Sequence, residues 1–472
     1  MTTKTAIRRI LVISALATLA VLQSCTREAT PKYVFYLIGD GMGINQVRGA
    51  EIYNEATGAG PAEINFFHFP VRTFVNTHSA SSLVTDSAAG GTALSTGFRT
   101  YNDGMGVDPD GNVLSNLTEW AHAAGFGAGV ATSVGVNHAT PAAFYAHTKS
   151  RSEYETIAEQ LIAAENIDFA AGAGFLNEKR KTGHDSQYLE QLAIDGGMAV
   201  RHGKDQFTDL ASLDKRVVCL SADPADTELQ YAIDRKEGQT KLADFVQAGI
   251  DYLYGHFAKK GFFFMIEGGK IDYAGHNDDG ATDFMEVNDF AESVDLVLAF
   301  YEQHPDETLI VITADHETGA LMLGSGQYEM NPGRIKLQRA NENVLNSKFN
   351  AMCEGGKVPS WETVKDFFKE ELGLWDAIAV NPMQEAALKG MYDRLSKHDP
   401  ADRITTLYSA NSRIVSEALD YANRQAGYNW AHGSHTGSPV GLYVKGARAT
   451  DFLECQNNVD IPVMISKVAK YK

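Results

Sequence analysis

The stretch Tyr33-Val34-Phe35-Tyr36-Leu37-Ile38-Gly39-Asp40 is a short apolar run that stops on a carboxylate. Two further runs have the same form: FFFMIE at 262–267 and LIVITAD at 309–315. Continuous apolar runs of this length are typical of strands buried on both faces of a parallel sheet. The sequence therefore predicts an α/β fold with a doubly wound, mainly parallel central sheet flanked by helices.

The three runs also predict where chemistry occurs, because open α/β sheets bind ligands at the carboxyl ends of their strands. Three acids gathered there would repel one another strongly in a partly dry crevice. His316 directly follows the third acid, and Asp272 and His276 follow Glu267 within nine residues. Each cluster alone could be a surface pair or a capped turn. Together, oxygen and imidazole ligands predict bound divalent metal, with more than one ion.

Strand and helix patterns alternate from Tyr33 onward, as in βαβ units. The stretch 125–134 predicts another inner strand, and apolar spacing predicts helices over 241–259 and 281–301. We assign 33–472 to one catalytic domain, interrupted at about 326–430 by a mainly helical insertion without identifiable chemistry. Four helices are predicted there, with Gly427 as a C-cap: 334–353, 360–372, 382–397 and 411–426. Sheet-like sequence returns at 433–445.

The first 24 residues predict a signal peptide, with a basic start and an apolar stretch at 10–22 that is too short to span a bilayer. Leu22-Gln23-Ser24-Cys25 resembles a bacterial lipobox, which implies cleavage before Cys25 and its acylation. Residues 25–32 would then be a lipidated tether. We expect an exported protein of the periplasm or cell envelope, anchored to a membrane through Cys25. Ordinary secretion with cleavage nearby is the alternative.

Composition excludes several classes of protein. The formal net charge of −19 argues against nucleic-acid binding, which requires a basic surface. Beyond Cys25 the chain has Cys219, Cys353 and Cys455, which allow at most one disulfide. A cysteine-stapled scaffold is therefore excluded, and the absence of CxxC spacing argues against a structural zinc finger.

The segment 85–93, Thr-Asp-Ser-Ala-Ala-Gly-Gly-Thr-Ala, has the pattern of a loop that enters a helix. Asp and Ser are common N-caps, so a purely structural role is one interpretation. A helix N-terminus also favours anions, and Ser87 there could attack a phosphate if a metal lowered its pKa. The setting is not the G-x-S-x-G of a histidine-activated serine.

These motifs together resemble the alkaline phosphatases, and their order along the chain agrees with that family. The resemblance covers roughly 33–323 and 433–445, and the helical insertion falls outside it. It rests on these segments: Ile38-Gly39-Asp40-Gly41-Met42-Gly43, Val84-Thr85-Asp86-Ser87-Ala88-Ala89, Thr140-Pro141, Glu267 with Asp272 and His276, Ala314-Asp315-His316, and Ser434-His435-Thr436-Gly437.

The resemblance implies a phosphomonoesterase that acts on diverse small phosphate monoesters, with Ser87 phosphorylated during the reaction and Arg151 gripping the phosphoryl oxygens. It implies two Zn²⁺ and one Mg²⁺. The first zinc would be held by Asp272, His276 and His435; the second by Asp40, Asp315 and His316, beside Ser87; and the third ion by Asp40, Thr140 and Glu267. A homodimer is also implied, although the insertion could alter that interface.

Two positions depart from the family pattern. His138 stands where some members have an aspartate at the third metal site, and imidazole is a poorer partner for magnesium than carboxylate. We therefore include His138 in that site while expecting weak or altered metal binding there. Tyr273 follows Asp272 where other members carry a lysine or histidine that contacts phosphate through water.

Other activities on the same scaffold fit less well. A sulfatase would need C/S-x-P-x-R, and Ser87-Ala88-Ala89-Gly90-Gly91 has neither the proline nor the arginine. Diesterases of this type favour a threonine nucleophile and lack the phosphate-gripping arginine. A non-catalytic lipoprotein that binds metal or phosphate is the alternative from another class. A monoester, a diester and a sulfate ester assayed with and without chelator would separate these functions.

Overall fold

A computed structural model describes residues 29–177, 179–324, 328–353, 358–395 and 402–472. The predicted signal peptide and Cys25 lie outside the described residues, as does the predicted start of the insertion at 326. Among the helices that are described, none is both long and apolar enough to cross a membrane.

The strands of the described residues include nine that form one central sheet. In chain order the strands are β1 Tyr33–Gly39, β2 Val71–Val75, β3 Gly127–Thr132, β4 Phe169–Gly172, β5 Ala199–His202, β6 Val217–Leu220, β7 Phe262–Gly268, β8 Thr308–Thr313, β9 Glu317–Thr318, β10 Met322–Leu323, β11 Arg403–Thr405, β12 Ala410–Ser412, β13 Tyr428–Asn429, β14 His435–Thr436 and β15 Val440–Gly446. The central sheet has the order β2-β15-β8-β1-β7-β3-β4-β6-β5. Neighbours pair in parallel, except that β15 is antiparallel to both β8 and β2.

The three apolar runs that opened the sequence are the adjacent strands β8, β1 and β7 at the centre of this sheet. Every residue of the three strands is buried, as their composition predicts. Ile38 of β1 lies opposite Glu267 on one side and Thr313 on the other. This register brings the acids at the three strand ends to one edge, and it confirms the predicted fold class.

The helices accompany the sheet strands and then dominate the later part of the chain. Their bounds are α1 Ile44–Thr57, α2 Ser87–Thr96, α3 Leu117–Ala123, α4 Ala139–Ala142, α5 Tyr154–Ala163, α6 Lys179–Thr182, α7 Ser186–Asp195, α8 Leu242–Phe257, α9 Lys270–His276, α10 Gly280–Gln303, α11 Glu342–Met352, α12 Trp361–Leu372, α13 Pro382–Leu395, α14 Arg413–Ala426 and α15 Asp460–Ala469. Helices α8 and α10 agree closely with the helices predicted at 241–259 and 281–301.

Helices α11 to α14 share a hydrophobic cluster separate from the main core, around Phe349, Phe368 and Leu419. Strands β10 and β13, which flank this segment, pair antiparallel, so the chain leaves and re-enters the main body at adjacent points. That arrangement supports our proposal that the segment is an insertion. Gly427 ends α14 with a φ of 95°, as a glycine C-cap requires.

Two details of this segment differ from the sequence prediction. The expected helix at 334–353 is a 3₁₀ turn at Pro332–Leu337 followed by α11, because the Asn341 side chain caps a new start by accepting from the amides of Asn343 and Val344. The helix expected from 411 begins at Arg413, because Asn411 and Ser412 belong to β12, which pairs with β11 in a short hairpin.

Candidate metal and phosphate site

The carboxyl edge of β8, β1 and β7 gathers three groups of potential metal ligands. Within each group the ligand atoms lie within 4.8 Å of one another. The groups are Asp272, His276 and His435; Asp40, Asp315 and His316; and Asp40, His138 and Glu267. The structure thus brings together every His, Asp and Glu that the sequence analysis predicted as a metal ligand. They come from strand ends, from the residue before α4, from α9 and from β14.

Backbone contacts orient the two histidines of the first group. His276 Nδ1 lies 3.0 Å from the carbonyl oxygen of Gly433, and His435 Nδ1 lies 3.0 Å from that of Thr85. A carbonyl only accepts, so both rings carry a proton on Nδ1, and in their neutral form they leave Nε2 as the free lone pair. The Nε2 atom of His276 lies 3.4 Å from Oδ2 of Asp272. Both rings are therefore oriented as metal ligands.

The second group is ordered by a threonine that sequence reasoning missed. Thr318 Oγ1 donates its single proton to Asp272, so it accepts from Nδ1 of His316 at 3.2 Å. His316 Nε2 is left as a lone pair, 3.1 Å from Oδ2 of Asp315 and 3.4 Å from Oδ1 of Asp40. The sequence offered one signal for this role of Thr318, namely its position only three residues after Asp315.

Gly41, next to Asp40, shows how tightly the backbone is packed at this edge. Its φ is 69°, and a Cβ there would lie 2.8 Å from Cα of Asp272. Its amide donates to Oδ1 of Asp315 at 3.2 Å. Only glycine fits a positive φ beside such a close neighbour, so Gly41 holds two ligand-bearing segments together.

The third group differs from the other two at its histidine. Thr140 Oγ1 donates to Oδ2 of Asp40 at 3.2 Å, and Thr132 donates to Glu267. His138 lies beside these acids, but its Nε2 is 3.2 Å from Nη2 of Arg151. A guanidinium only donates, so His138 accepts through Nε2, while its buried Nδ1 has no hydrogen-bond partner among the described residues. Burial, followed by Arg151, lowers the pKa of His138 to about 3, so the ring is neutral.

Buried carboxylate oxygens that lack a hydrogen-bond donor indicate whether these residues fit metal ions. One oxygen in each of four acids has no hydrogen-bond partner within the described ranges: Asp40 Oδ1, Glu267 Oε1, Asp272 Oδ2 and Asp315 Oδ2. Burial raises the pKa of Asp40 well above its ordinary value and that of Glu267 to about 7. Burial also acts to raise the pKa of Asp272, but His276 and His435 hold it well below its ordinary value. Such acids and Nε2 lone pairs are a donor set that divalent cations satisfy.

Ser87 is the first residue of α2, as the sequence predicted from its loop-to-helix pattern. Asp86 is the N-cap, and its Oδ1 accepts from the Ala89 amide at 3.0 Å. Ser87 Oγ lies 3.3 Å from Nε2 of His316. The hydroxyl is therefore beside the second ligand group and at the helix end that favours anions.

Arg151 approaches the same helix start from its own loop. Its Nη1 lies 3.3 Å from Oδ2 of Asp86, while Nη2 contacts His138. The Asp103 amide also donates to Oδ2 of Asp86, at 3.1 Å, so that carboxylate is held in place. Asp86 therefore orients the guanidinium of Arg151. The sequence analysis assigned no such role to Asp86, although this residue belongs to one of the motifs that it identified.

The helical segment also reaches this site, which nothing in the sequence indicated. The turn between β11 and β12 lines a cavity of about 450 Å³ together with Asp86, His276 and His435. Tyr408 from this turn stacks on Tyr273, with ring centroids 3.5 Å apart and planes at 22°. The expectation that the insertion carries no identifiable chemistry therefore needs correction, because it places an aromatic residue beside the predicted ligands.

A mainly parallel α/β sheet, with a serine at a helix start beside clustered Asp and His ligands, defines a metal-dependent hydrolase of phosphate esters. The alkaline phosphatase profile matches residues 31–471, and the chain belongs to that family. It is therefore a metal-dependent phosphomonoester hydrolase, and the family implies a phosphoserine intermediate.

Two relatives and one solved structure each cover more than nine tenths of this chain. Alkaline phosphatase 4 of Bacillus subtilis is 28% identical over 455 residues, which cover 94% of this chain and 90% of the relative. The alkaline phosphatase of Schizosaccharomyces pombe is 30% identical over 459 residues, 91% of this chain and 80% of the relative. The crystal structure of a cold-active alkaline phosphatase from a psychrophilic Shewanella species superposes with a TM-score of 0.74 at 28% identity, covering 92% of this chain and 99% of the other.

Proposed function

We propose that Ser87 is the nucleophile of this phosphomonoesterase. The observation that carries the proposal is the 3.3 Å approach of Ser87 Oγ to His316, within the group that includes Asp40 and Asp315. In the first step, Ser87 Oγ bonds to phosphorus as the bond from phosphorus to the alcohol oxygen breaks, and the alcohol leaves with a proton. Water then attacks the phosphoserine, which regenerates the serine and releases inorganic phosphate.

Two zinc ions and one magnesium ion fit the three ligand groups. Asp272, His276 and His435 would hold one zinc, and Asp40, Asp315 and His316 the other, because mixed imidazole and carboxylate ligands suit zinc. Oxygens of Asp40, Glu267 and Thr140 suit magnesium, with His138 beside them. When bound, these cations would lower the pKa of the serine hydroxyl and of water, and they would stabilise the negative charge on the leaving oxygen.

Arg151 supports a preference for monoesters. Its guanidinium is planar and donates through two parallel N–H groups, which matches two phosphoryl oxygens. A diester presents one fewer free oxygen to that fork. Because the metals and Arg151 recognise only the phosphoryl group, we expect the protein to accept diverse small phosphate monoesters.

Trapping the intermediate tests the mechanism directly. The zinc- and magnesium-loaded protein is mixed with a chromogenic phosphate monoester, quenched in acid and digested for mass spectrometry. Phosphate is expected on the peptide that contains Ser87, and Ser87→Ala should lower the rate by at least about 10³-fold. Full activity in Ser87→Ala, or phosphate on another residue, would contradict the proposal. Ser95→Ala, in the same helix, is the matched control.

We also propose that the protein is exported and anchored through an acylated Cys25, which the lipobox-like Leu22-Gln23-Ser24-Cys25 supports. Cys25→Ala should move the protein from the membrane fraction to the soluble fraction without loss of catalysis, since the site lies at the sheet edge. A parent protein that fractionates as soluble would contradict lipidation. A homodimer remains the family-based expectation, to be checked by light scattering.

A further inference from the structure

The turn at 405–409 is held over the site by a residue next to a predicted metal ligand. Thr406 Oγ1 donates to Oδ1 of Asn277 at 3.1 Å, and Ser409 Oγ donates to the same oxygen at 2.7 Å. Within the turn, the Thr406 amide donates to the Ser409 carbonyl at 2.9 Å. Asn277 directly follows His276, so the insertion's hairpin is tied to the segment that carries a ligand.

Tyr408 is positioned by two aromatic contacts in addition to these hydrogen bonds. Its ring stacks on Tyr273 at 3.5 Å and meets His276 edge-on at 5.3 Å. Tyr273 is itself buried and contacts His138 edge-on at 6.0 Å. A ring held on its face and its edge has little freedom to turn, so the direction of its hydroxyl is fixed.

That hydroxyl is buried, and no hydrogen-bond partner for it exists in the described part of the chain. Burying a hydroxyl without a partner is costly, so such a group calls for an explanation. Burial raises the pKa of Tyr408 well above its ordinary value, with Asp272 acting in the same direction and Arg151 opposing. The ring lies against His276 and against Tyr273, the residue after Asp272, so its hydroxyl, unpartnered among the described residues, lies beside the first ligand group.

We propose that the Tyr408 hydroxyl donates a hydrogen bond to a phosphoryl oxygen of the bound monoester, so that the helical insertion contributes a phosphate-binding residue. The proposal rests on the proposed function of this site. A phosphate dianion presents acceptor oxygens, and a fixed phenol donor supplies a charge-assisted hydrogen bond to one of them. The stacked ring positions the donor, and a bound phosphate would satisfy the hydroxyl.

Removal of the hydroxyl alone tests this role. Tyr408→Phe keeps the ring that stacks on Tyr273, while Tyr408→Leu removes both ring and hydroxyl. Inorganic phosphate is the probe, as a competitive inhibitor of monoester hydrolysis by the zinc- and magnesium-loaded protein. Both variants should bind phosphate about 10- to 100-fold more weakly, the usual effect of losing a hydrogen bond to a charged group. Metal content and the thermal midpoint of Tyr408→Phe should match those of the parent.

Tyr471→Phe is the matched control, because Tyr471 also has a buried hydroxyl without a partner among the described residues. Its ring lies against Phe126 and Phe263, which places it near the amino ends of β3 and β7, away from the ligands. Phosphate inhibition of this variant should equal that of the parent.

Parent-like phosphate inhibition in Tyr408→Phe would overturn the proposal, and a loss confined to Tyr408→Leu would assign Tyr408 a packing role only. Failure of the proposed function is a separate result: the metal-loaded parent would then not hydrolyse a monoester. In that event, calorimetric titration of inorganic phosphate into parent and Tyr408→Phe still decides the role of the hydroxyl.

Discussion

The Nε2 atoms of His276 and His435 lie 3.0 Å apart, although both rings use Nδ1 to contact backbone carbonyls. Whenever both imidazoles are neutral in these tautomers, their Nε2 lone pairs face each other, which is unfavourable in a site of low dielectric. A cation between them removes the repulsion. The carbonyls of Gly433 and Thr85 therefore hold both rings in the orientation that a shared metal ion would require.

Metal removal should abolish activity and also destabilise the fold. Without cations, the crowded acids at the sheet edge either repel one another or become protonated, and the stabilisation by ligand binding is lost. We expect exhaustive chelation to lower the free energy of unfolding by about 3 kcal/mol or more. Activity and the thermal midpoint are measured before and after chelation. Zinc should restore both better than magnesium alone, and indifference to chelation would refute the site.

Substitution of Arg151 should slow the hydrolysis of monoesters more than the hydrolysis of diesters. Arg151→Ala removes the fork and should slow monoester hydrolysis by roughly 10²- to 10³-fold, with a smaller loss on a diester. Arg151→Lys retains the charge without the paired N–H groups and should recover only part of the rate. Steady-state kinetics on a matched monoester and diester measure the difference. Equal losses on the two substrates would indicate that Arg151 is structural.

His138→Asp should tighten magnesium at the third site, because it adds a hard oxygen near Asp40 and Glu267. The two groups that we propose to hold zinc do not include His138, so they should keep their metal. Activity should therefore fall until magnesium is added. Magnesium titrated into the zinc-loaded variant should give steeper activation than in the parent. Identical titrations would remove His138 from that site and leave its contact with Arg151 as its role.

Stability should decrease with rising pH because of a buried acid in the insertion. Burial raises the pKa of Glu342 from an ordinary 4.5 to about 7, even though Ser416 donates to it. The folded protein therefore keeps a proton that the unfolded chain loses near pH 4.5. The stabilisation is complete below that pH and is lost as the pH rises toward 7.

Glu342→Gln removes this titration. The variant should match the parent near pH 4.5 and exceed it at pH 8 by roughly 1–3 kcal/mol in free energy of unfolding. Unfolding curves at the two pH values provide the measurement. Glu362→Gln, in the neighbouring helix with a 77% exposed side chain, is the control and should show no such change. A pH-independent difference for Glu342→Gln would contradict the assignment.

Much of the fold could be predicted from local sequence, because strands buried on both faces of a parallel sheet are continuous apolar runs. The runs at 33–40, 262–267 and 309–315 were predicted as central strands, and they are adjacent in the sheet. The helix boundaries in the insertion were less accurate. The amide of Asn341 donates to Asp234 and that of Ser412 donates to Asn346, and such partners distant in sequence override a local helical pattern.

The sequence alone indicated which residues are candidates to carry the chemistry. Asp, His and Ser at strand and helix ends can be recognised as candidate ligands and nucleophiles because their side-chain chemistry is the same whatever their distant contacts. Tertiary structure alone decided their orientation and their supporting residues: the tautomers of His276 and His316, the contact between Asp86 and Arg151, and the placement of Tyr408. The physical reason is that a hydrogen bond or ring contact depends on ångström distances between atoms. Tyr408 and Tyr273 are far apart along the chain, and only folding brings them together.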